Sequence, residues 1–383
     1  MPTFKELVAA ARARITEVTP EEAEQALGRA LFIDVRESNE YETGALAGAV
    51  HIARGVLESS IGLRAPDTSA EIILYCAVGE RSALAAETLE GLGYTNVASL
   101  AGGVERWKRE GRRWDTPLTL RGDQRSRYSR HLLLPEVGEA GQAALLDARV
   151  LLVGAGGLGS PAALYLAAAG IGTLGIVDHD VVDVSNLQRQ ILHGTDRIGS
   201  PKVESARETL RNINPDVDVV PFKERLSADN AVDLVAAHDV VVDGADNFPT
   251  RYLLNDASLH ARRPVVHGSV FRFEGQATVF QPYAGPCYRC LSPSPPPADL
   301  APSCAEAGVL GVVPGIIGSI QALEAIKLIL GIGDPLIGTL LAFDALEGEF
   351  RRLTFRRDPG CPACSDEGSP PRIIEYDEYC IPG

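Results

Sequence analysis

Three groups of residues in this 383-residue chain have types and spacing that can do chemistry. The first is a glycine turn. Gly154, Gly156 and Gly159 stand at G-x-G-x-x-G spacing, with Gly157 between them, after the apolar run 150–153 and before the alanine-rich stretch 161–169. One glycine in such a turn tolerates a positive φ, one lets a phosphate touch the backbone, and one lets helix and strand pack closely. The free N–H groups at the helix start then favour an anion. Alone the motif says only nucleotide, most often a dinucleotide. The second group is two C-x-x-C pairs, Cys287/Cys290 and Cys361/Cys364, about seventy residues apart. Four thiolates from two such knuckles match tetrahedral zinc in a closed structural site; redox pairs are the alternative. The third is Cys76, which ends the strand pattern 71–76 and opens the loop Ala77, Val78, Gly79, Glu80 and Arg81, with a helical pattern from Ser82. Loop N–H groups and a helix dipole at such a place stabilise a thiolate or persulfide anion. The plain alternative is a small buried residue.

Residues downstream of the glycine turn bear on which nucleotide it holds. Asp178 ends the strand pattern 173–177, about two dozen residues past the turn, and suits a ribose hydroxyl. An NAD enzyme would look the same to that point. Next come Ser185, Asn186, Leu187, Gln188, Arg189 and Gln190, then Lys202, then the apolar strand 239–243 with Asp246 and Asn247 just beyond it. Arg189 and Lys202 could neutralise a triphosphate, whereas a dinucleotide pyrophosphate needs little beyond the helix end. Asp246 lies where open α/β sheets hold ligands and could hold Mg²⁺. Asp243 alone reads as a buried structural acid; with Asp246 it reads as part of a polar strand mouth. Arg125, Arg127 and Arg130, just ahead of the turn, are either a solvated face or a phosphate clamp.

The elements that must position these groups alternate strand and helix, the pattern of parallel α/β sheets. In residues 1–115 the strands are 31–35, 71–76 and 96–100, and Thr19, Pro20 and Glu22 begin a helix as cap, first-turn proline and capping-box acid. Residues 116–124 read as a linker, and 125–383 as a second domain. A net charge of −15 argues against nucleic acid and anionic membranes as partners. The longest apolar run, 309–323, is broken by Pro314, Ser319 and Gln321, and is expected to form a buried core or interface helix. Seven cysteines and no apolar leader at the start point to a reducing compartment, and the cytoplasm is the expected location.

Residues 18–112 resemble a single-domain rhodanese, on Ile33, Asp34, Arg36 and the loop from Cys76 to Arg81. That resemblance implies a sulfurtransferase in which Cys76 carries a persulfide. Family loops often carry arginine after the cysteine, where this chain has Ala77. Residues 125–366 resemble the adenylyltransferases that activate ubiquitin-like sulfur carriers in molybdopterin-synthase and thiamine biosynthesis, kin of ubiquitin-activating enzymes. The matching residues are Arg127, Tyr128, Arg130, Gly154 to Gly159, Asp178, Ser185, Asn186, Leu187, Arg189, Gln190, Lys202, Asp246 and Asn247. The fold so implied is α/β throughout: a rhodanese-like parallel-sheet domain, then a Rossmann-like ATP-binding adenylyltransferase domain with a zinc knuckle.

By the same resemblance Asp178 holds the ribose, Arg189 and Lys202 the phosphates, and Asp246 the magnesium. Arg130 is similar to an arginine that reaches the triphosphate of the other subunit, which implies a homodimer. The implied partner is a small ubiquitin-like sulfur carrier ending in Gly-Gly, and the sulfur donor is a cysteine desulfurase or thiosulfate. Cys304, in a Cys-Ala-x-x-Gly-Val context, is a candidate thioester or acyl-disulfide former; Cys380 is read as incidental. Fused enzymes of this kind commonly place the rhodanese domain last, whereas here it comes first. The chain's own end, Ile-Pro-Gly, is not that of a carrier. Two rivals remain: a rhodanese fold that only docks a partner, and an adenylylating enzyme for another peptide or carrier carboxylate.

Overall fold

The computed structural model describes residues 2–41, 43–114, 120–294 and 308–376. The chain divides into two compact units, Met1–Thr119 and Leu120–Gly383.

In the first unit, β1 (Thr16–Val18), β2 (Leu31–Asp34), β3 (Val50–His51), β4 (Ile72–Tyr75) and β5 (Val97–Leu100) form a sheet in the order β1-β5-β4-β2-β3. Every pairing is parallel. Strand alternation sends Ile72 and Leu74 into one core layer and Ile73 and Tyr75 into the other, so β4 is apolar on both faces. Thr19 caps the helix Pro20–Gln25 in a capping box with Glu22, as the sequence indicates. The helix after Cys76 starts earlier than its apolar pattern suggests, running from Glu80 to Gly91. Gly79 makes this possible: at φ +86° it turns the chain straight into the helix. Glu80 and Arg81 therefore belong to a first helical turn, not to a loop.

The second unit holds an eight-stranded sheet of β6 (Arg149–Val153), β7 (Thr173–Val177), β8 (Asp218–Phe222), β9 (Val240–Asp243), β10 (Val265–Phe271), β11 (Glu274–Phe280), β12 (Thr339–Asp344) and β13 (Glu349–Thr354). Their order is β13-β12-β11-β10-β9-β6-β7-β8. The half from β8 to β10 is parallel. From β10 to β13 the strands are antiparallel, an extension the sequence patterning does not announce. The chain runs outward from β6 to β8 and then crosses back to lay β9 on the other side of β6. The crevice at the carboxyl ends of β6 and β9 is thus a topological switch point, where open α/β sheets bind ligands.

The helix Val312–Leu330 is long and apolar enough to cross a membrane, but it lies against β9, β10 and β11 in the core. Gln321, fully buried on it, donates to the carbonyls of Asp243 (2.7 Å) and Val266 (3.0 Å). Residues 122–124, where the sequence reads as linker, open the helix Gly122–Arg127, and Leu120 before it is buried.

Candidate functional site

A cavity of about 370 Å³ fills the β6/β9 crevice. Gly154, Gly156 and Gly157 line it from the end of β6, Asp178, His179 and Asp180 from the end of β7, and Asp246, Asn247 and Arg251 from beyond β9. Arg189, Gln190 and Lys202 add to the polar lining, with Glu224, Arg225, Thr250 and Ser269. The turn closes because Gly159 has no side chain: a Cβ there would stand 2.0 Å from the Gly154 carbonyl oxygen. Asp178 ties the turn to β7, accepting the N–H groups of Ala155 and Asp180, both at 2.8 Å. His193 braces it from behind, with its ring nitrogens 2.9 Å from the Ala155 carbonyl and 2.9 Å from Ser205 Oγ.

Lys202, buried apart from its tip, places Nζ 2.7 Å from Asp180 Oδ2. Burial raises the Asp180 pKa, but the Lys202 ammonium more than offsets this and leaves the carboxyl below its usual range. Arg189 donates to the Ser185 carbonyl at 3.0 Å. Behind the cavity Asp243 accepts from Ala245 N–H (3.0 Å) and meets His267 Nδ1 at 2.6 Å, with Arg251 Nε 4.0 Å away. Burial lowers the His267 pKa, against the opposing pull of the Asp243 carboxyl. Asp246 is exposed to the cavity and has only the Asn247 amide beside it among the described side chains, at 3.3 Å. One carboxylate facing a phosphate site is a donor set that suits Mg²⁺, which usually takes few protein ligands.

Several residues expected at the nucleotide do not line the cavity. Ser185, Asn186, Leu187 and Gln188 lie on and after the turn Val184–Asn186, which Asp183 caps through Ser185 N–H at 2.8 Å. Gly159 sits beneath the turn. Arg130, on the short helix Ser129–Leu132, is exposed and away from this cavity. Arg125 pairs instead with Glu139 at 3.1 Å, and Arg127 bonds the Ile213 carbonyl at 2.9 Å. Cys304 and Cys380 lie outside the described residues. Sequence reasoning misses Asp180, His193, Arg251 and His267. Arg251 carries a signal, since it falls four residues after Asn247 on the same helical face.

The four paired cysteines converge. Their sulfurs all lie within 4.8 Å of one another, with Cys287–Cys361 at 3.7 Å, Cys290–Cys364 at 3.5 Å and Cys287–Cys290 at 3.9 Å. A zinc ion about 2.3 Å from each of four tetrahedral sulfurs sets them about 3.8 Å apart, so the donors fit. The cluster packs with Leu259, Tyr283 and Ala363 as a small separate core.

In the first unit, Cys76 directly follows β4 and is buried. The Gly79 N–H donates to it at 3.2 Å and the Ser82 hydroxyl at 3.6 Å, and Ser99 in turn donates to Ser82 at 2.8 Å. These are donors for an anionic sulfur, and nothing in the spacing of Ser82 and Ser99 marks them as such. Ala77 and Val78 complete the loop, with Val78 exposed at its tip.

The fold and cavity define a nucleotide-binding α/β enzyme of Rossmann type, preceded by a parallel-sheet unit that presents a cysteine loop. The chain belongs to the ThiF family, which it matches over residues 128–363, and it carries a rhodanese-like domain over residues 19–110. It is 49% identical over 263 residues to the sulfur carrier protein adenylyltransferase of Thermus thermophilus, covering 67% of this chain and 97% of that one. It is 52% identical over 264 residues to the SAMP-activating enzyme E1 of Haloferax volcanii, covering 69% of this chain and 97% of that one. The adenylyltransferase and sulfurtransferase MOCS3 of Sus scrofa is 52% identical over 262 residues, a match to 68% of this chain but 58% of the pig protein. Among solved structures, E. coli MccB with MccA-N7isoASN superposes at a TM-score of 0.56 with 22% identity, over 63% of this chain and 75% of that one, a likeness of fold.

Proposed function

We propose that the second unit uses ATP to adenylylate the C-terminal glycine of a small ubiquitin-like sulfur carrier ending in Gly-Gly, and that Cys76 of the first unit supplies sulfur to make the carrier thiocarboxylate. The observation that carries this is the cavity, where the glycine turn, Asp178, Arg189, Lys202 and Asp246 meet, in a chain with one relative named sulfur carrier protein adenylyltransferase and another named adenylyltransferase and sulfurtransferase.

The carrier carboxylate attacks the α-phosphorus and pyrophosphate leaves, so an acyl-adenylate forms without a protein nucleophile. The backbone at Gly154–Gly157 receives phosphate oxygens, Asp178 faces the ribose, and Arg189 and Lys202 offset the developing charge. Asp246 would hold Mg²⁺, which supplies further positive charge to the phosphates when bound. The four cysteines would hold Zn²⁺, whose part is to tie the C-terminal segment to the domain. A Cys76 persulfide then attacks the acyl carbon, AMP leaves, and an acyl disulfide remains. A second thiol, Cys304 in our reading, takes the Cys76-side sulfur and releases the thiocarboxylate. By the family resemblance, Arg130, exposed on its helix, would serve the other copy's triphosphate in a homodimer.

Two measurements on the full chain test this. ATP–pyrophosphate exchange should depend on the carrier; exchange with short peptides but no carrier would favour the rival peptide-adenylylating role. The carrier's mass after incubation with ATP and a sulfur donor should rise by the exchange of one oxygen for sulfur. Thiocarboxylate formation that survives Cys76→Ala would defeat the relay.

A further inference from the structure

The arginines beside the Cys76 loop are already paired with glutamates. Arg81, in the first helical turn after the loop, is clasped by Glu40 through two hydrogen bonds, Nη1 to Oε2 at 2.6 Å and Nη2 to Oε1 at 2.7 Å. Arg12, whose guanidinium lies against Gly79, pairs with Glu17 at 3.2 Å. Arg106, packed on Gly102 where that residue meets Gly79, pairs with Glu110 at 2.8 Å. Of these, Arg81 also interacts with the Cys76 sulfur, although Glu40 is its main partner. The loop itself, Ala77, the exposed Val78 and Gly79, contains no cation, and the helix beyond it opens on the acid Glu80.

A small dianion must therefore displace a carboxylate from a two-point fork before it gains a counter-charge, and such forks are among the stronger charge-assisted contacts. A persulfide carried on another protein makes no such demand, since it brings at most one charge and can rest its apolar surroundings against Val78. We propose that Glu40 is a specificity residue: by occupying Arg81 it turns the Cys76 site away from thiosulfate and toward a protein-borne persulfide. This rests on the reading of Cys76 as a sulfur carrier.

Both donors give the same product. With thiosulfate, the Cys76 thiolate attacks the outer sulfur, the S–S bond breaks, and sulfite leaves with its electron pair. With a donor persulfide R–S–SH, the thiolate attacks the terminal sulfur, R–S⁻ leaves with the electron pair, and the new Cys76–S–SH gives its proton to solvent. Neither route needs an oxidant or reductant.

The test compares wild type with E40Q in a thiosulfate:cyanide sulfurtransferase assay on the full chain, with E40A as a second variant and thermal melts to verify folding. The expected result is a fall of about ten-fold in KM for thiosulfate with kcat within about two-fold, a change in binding and not in chemistry. The double variant E40Q/R81A should lose the gain. Loading of Cys76 by purified cysteine desulfurase with cysteine, read as the mass of one added sulfur atom, should match between wild type and E40Q. A KM for thiosulfate that stays or rises in both single variants while the desulfurase loads Cys76 overturns the role of Glu40 alone. If neither donor loads Cys76 in any of these proteins, the sulfur-carrying reading falls with it.

Discussion

Replacing Gly159 and Gly156 in turn by alanine separates the two duties of the glycine turn. At Gly159 a Cβ would meet the Gly154 carbonyl oxygen at 2.0 Å and its carbon at 3.0 Å. Both are backbone atoms, so no side chain can swing aside and the strand-to-helix turn itself must open by about 1 Å. Overpacking that backbone must absorb costs about 3 kcal/mol or more. For a unit of this size that is a fall in Tm of roughly 6–12 °C. At Gly156 the nearest atom is Gln190 Nε2 at 3.7 Å, an ordinary contact. Gly156→Ala should therefore fold with a stability within about 0.5 kcal/mol of wild type. Its new methyl group, however, faces the cavity where the backbone is to meet phosphate. Losing about 1.4–2.8 kcal/mol there weakens ATP by about 10- to 100-fold. Thermal melts and ATP–pyrophosphate exchange, run on both variants, read the two effects. Equal melting temperatures for Gly159→Ala and wild type, or an unchanged ATP KM in Gly156→Ala, would refute the geometry.

Arg189→Ala should lower kcat for ATP–pyrophosphate exchange by about 10²–10³-fold while leaving the melting temperature near wild type; an effect under three-fold would place its charge outside the reaction. If the four cysteines Cys287, Cys290, Cys361 and Cys364 hold zinc as proposed, a chelator should destabilise the second unit by several kcal/mol, followed by melts alongside zinc quantification. Stability should also fall on acidification. His193, His238 and His267 all have pKa values lowered from 6.5, chiefly by burial, so below about pH 6.5 the unfolded chain binds protons that the folded one refuses. The loss should proceed as pH drops from 6.5 toward the folded-state values, seen as a lower urea midpoint at about pH 5.5 than at pH 7.5; a flat or opposite trend would count against neutral buried rings.

Much of the site is legible from local pattern because its chemistry is local. A strand, a glycine turn and a helix occupy consecutive residues, so Gly154 to Gly159 and Asp178 carry their own structural context. The C-x-x-C spacing likewise declares each half of the cysteine cluster, and sequence separation hides only that the halves meet. The family resemblance assigns Ser185 to Gln188 to the nucleotide site together with Arg189 and Gln190, but a motif does not say which residues of a turn point inward: Asp183 caps the turn, and Arg189 and Gln190 are the ones that line the cavity.

By itself the amino-acid order determined two α/β units, the glycine turn between strand and helix, the cysteine at a strand end and two C-x-x-C pairs, since each depends on residues a few positions apart. Only the tertiary structure decided that β9 lies against β6 and so opens a crevice, that Lys202 is held by Asp180, that His267 and Asp243 stand behind Arg251, and that Glu40 clasps Arg81 beside Cys76. Those pairings join residues tens of positions apart on different elements, and no period or spacing along the chain encodes which partner a charged side chain meets once the strands have been ordered.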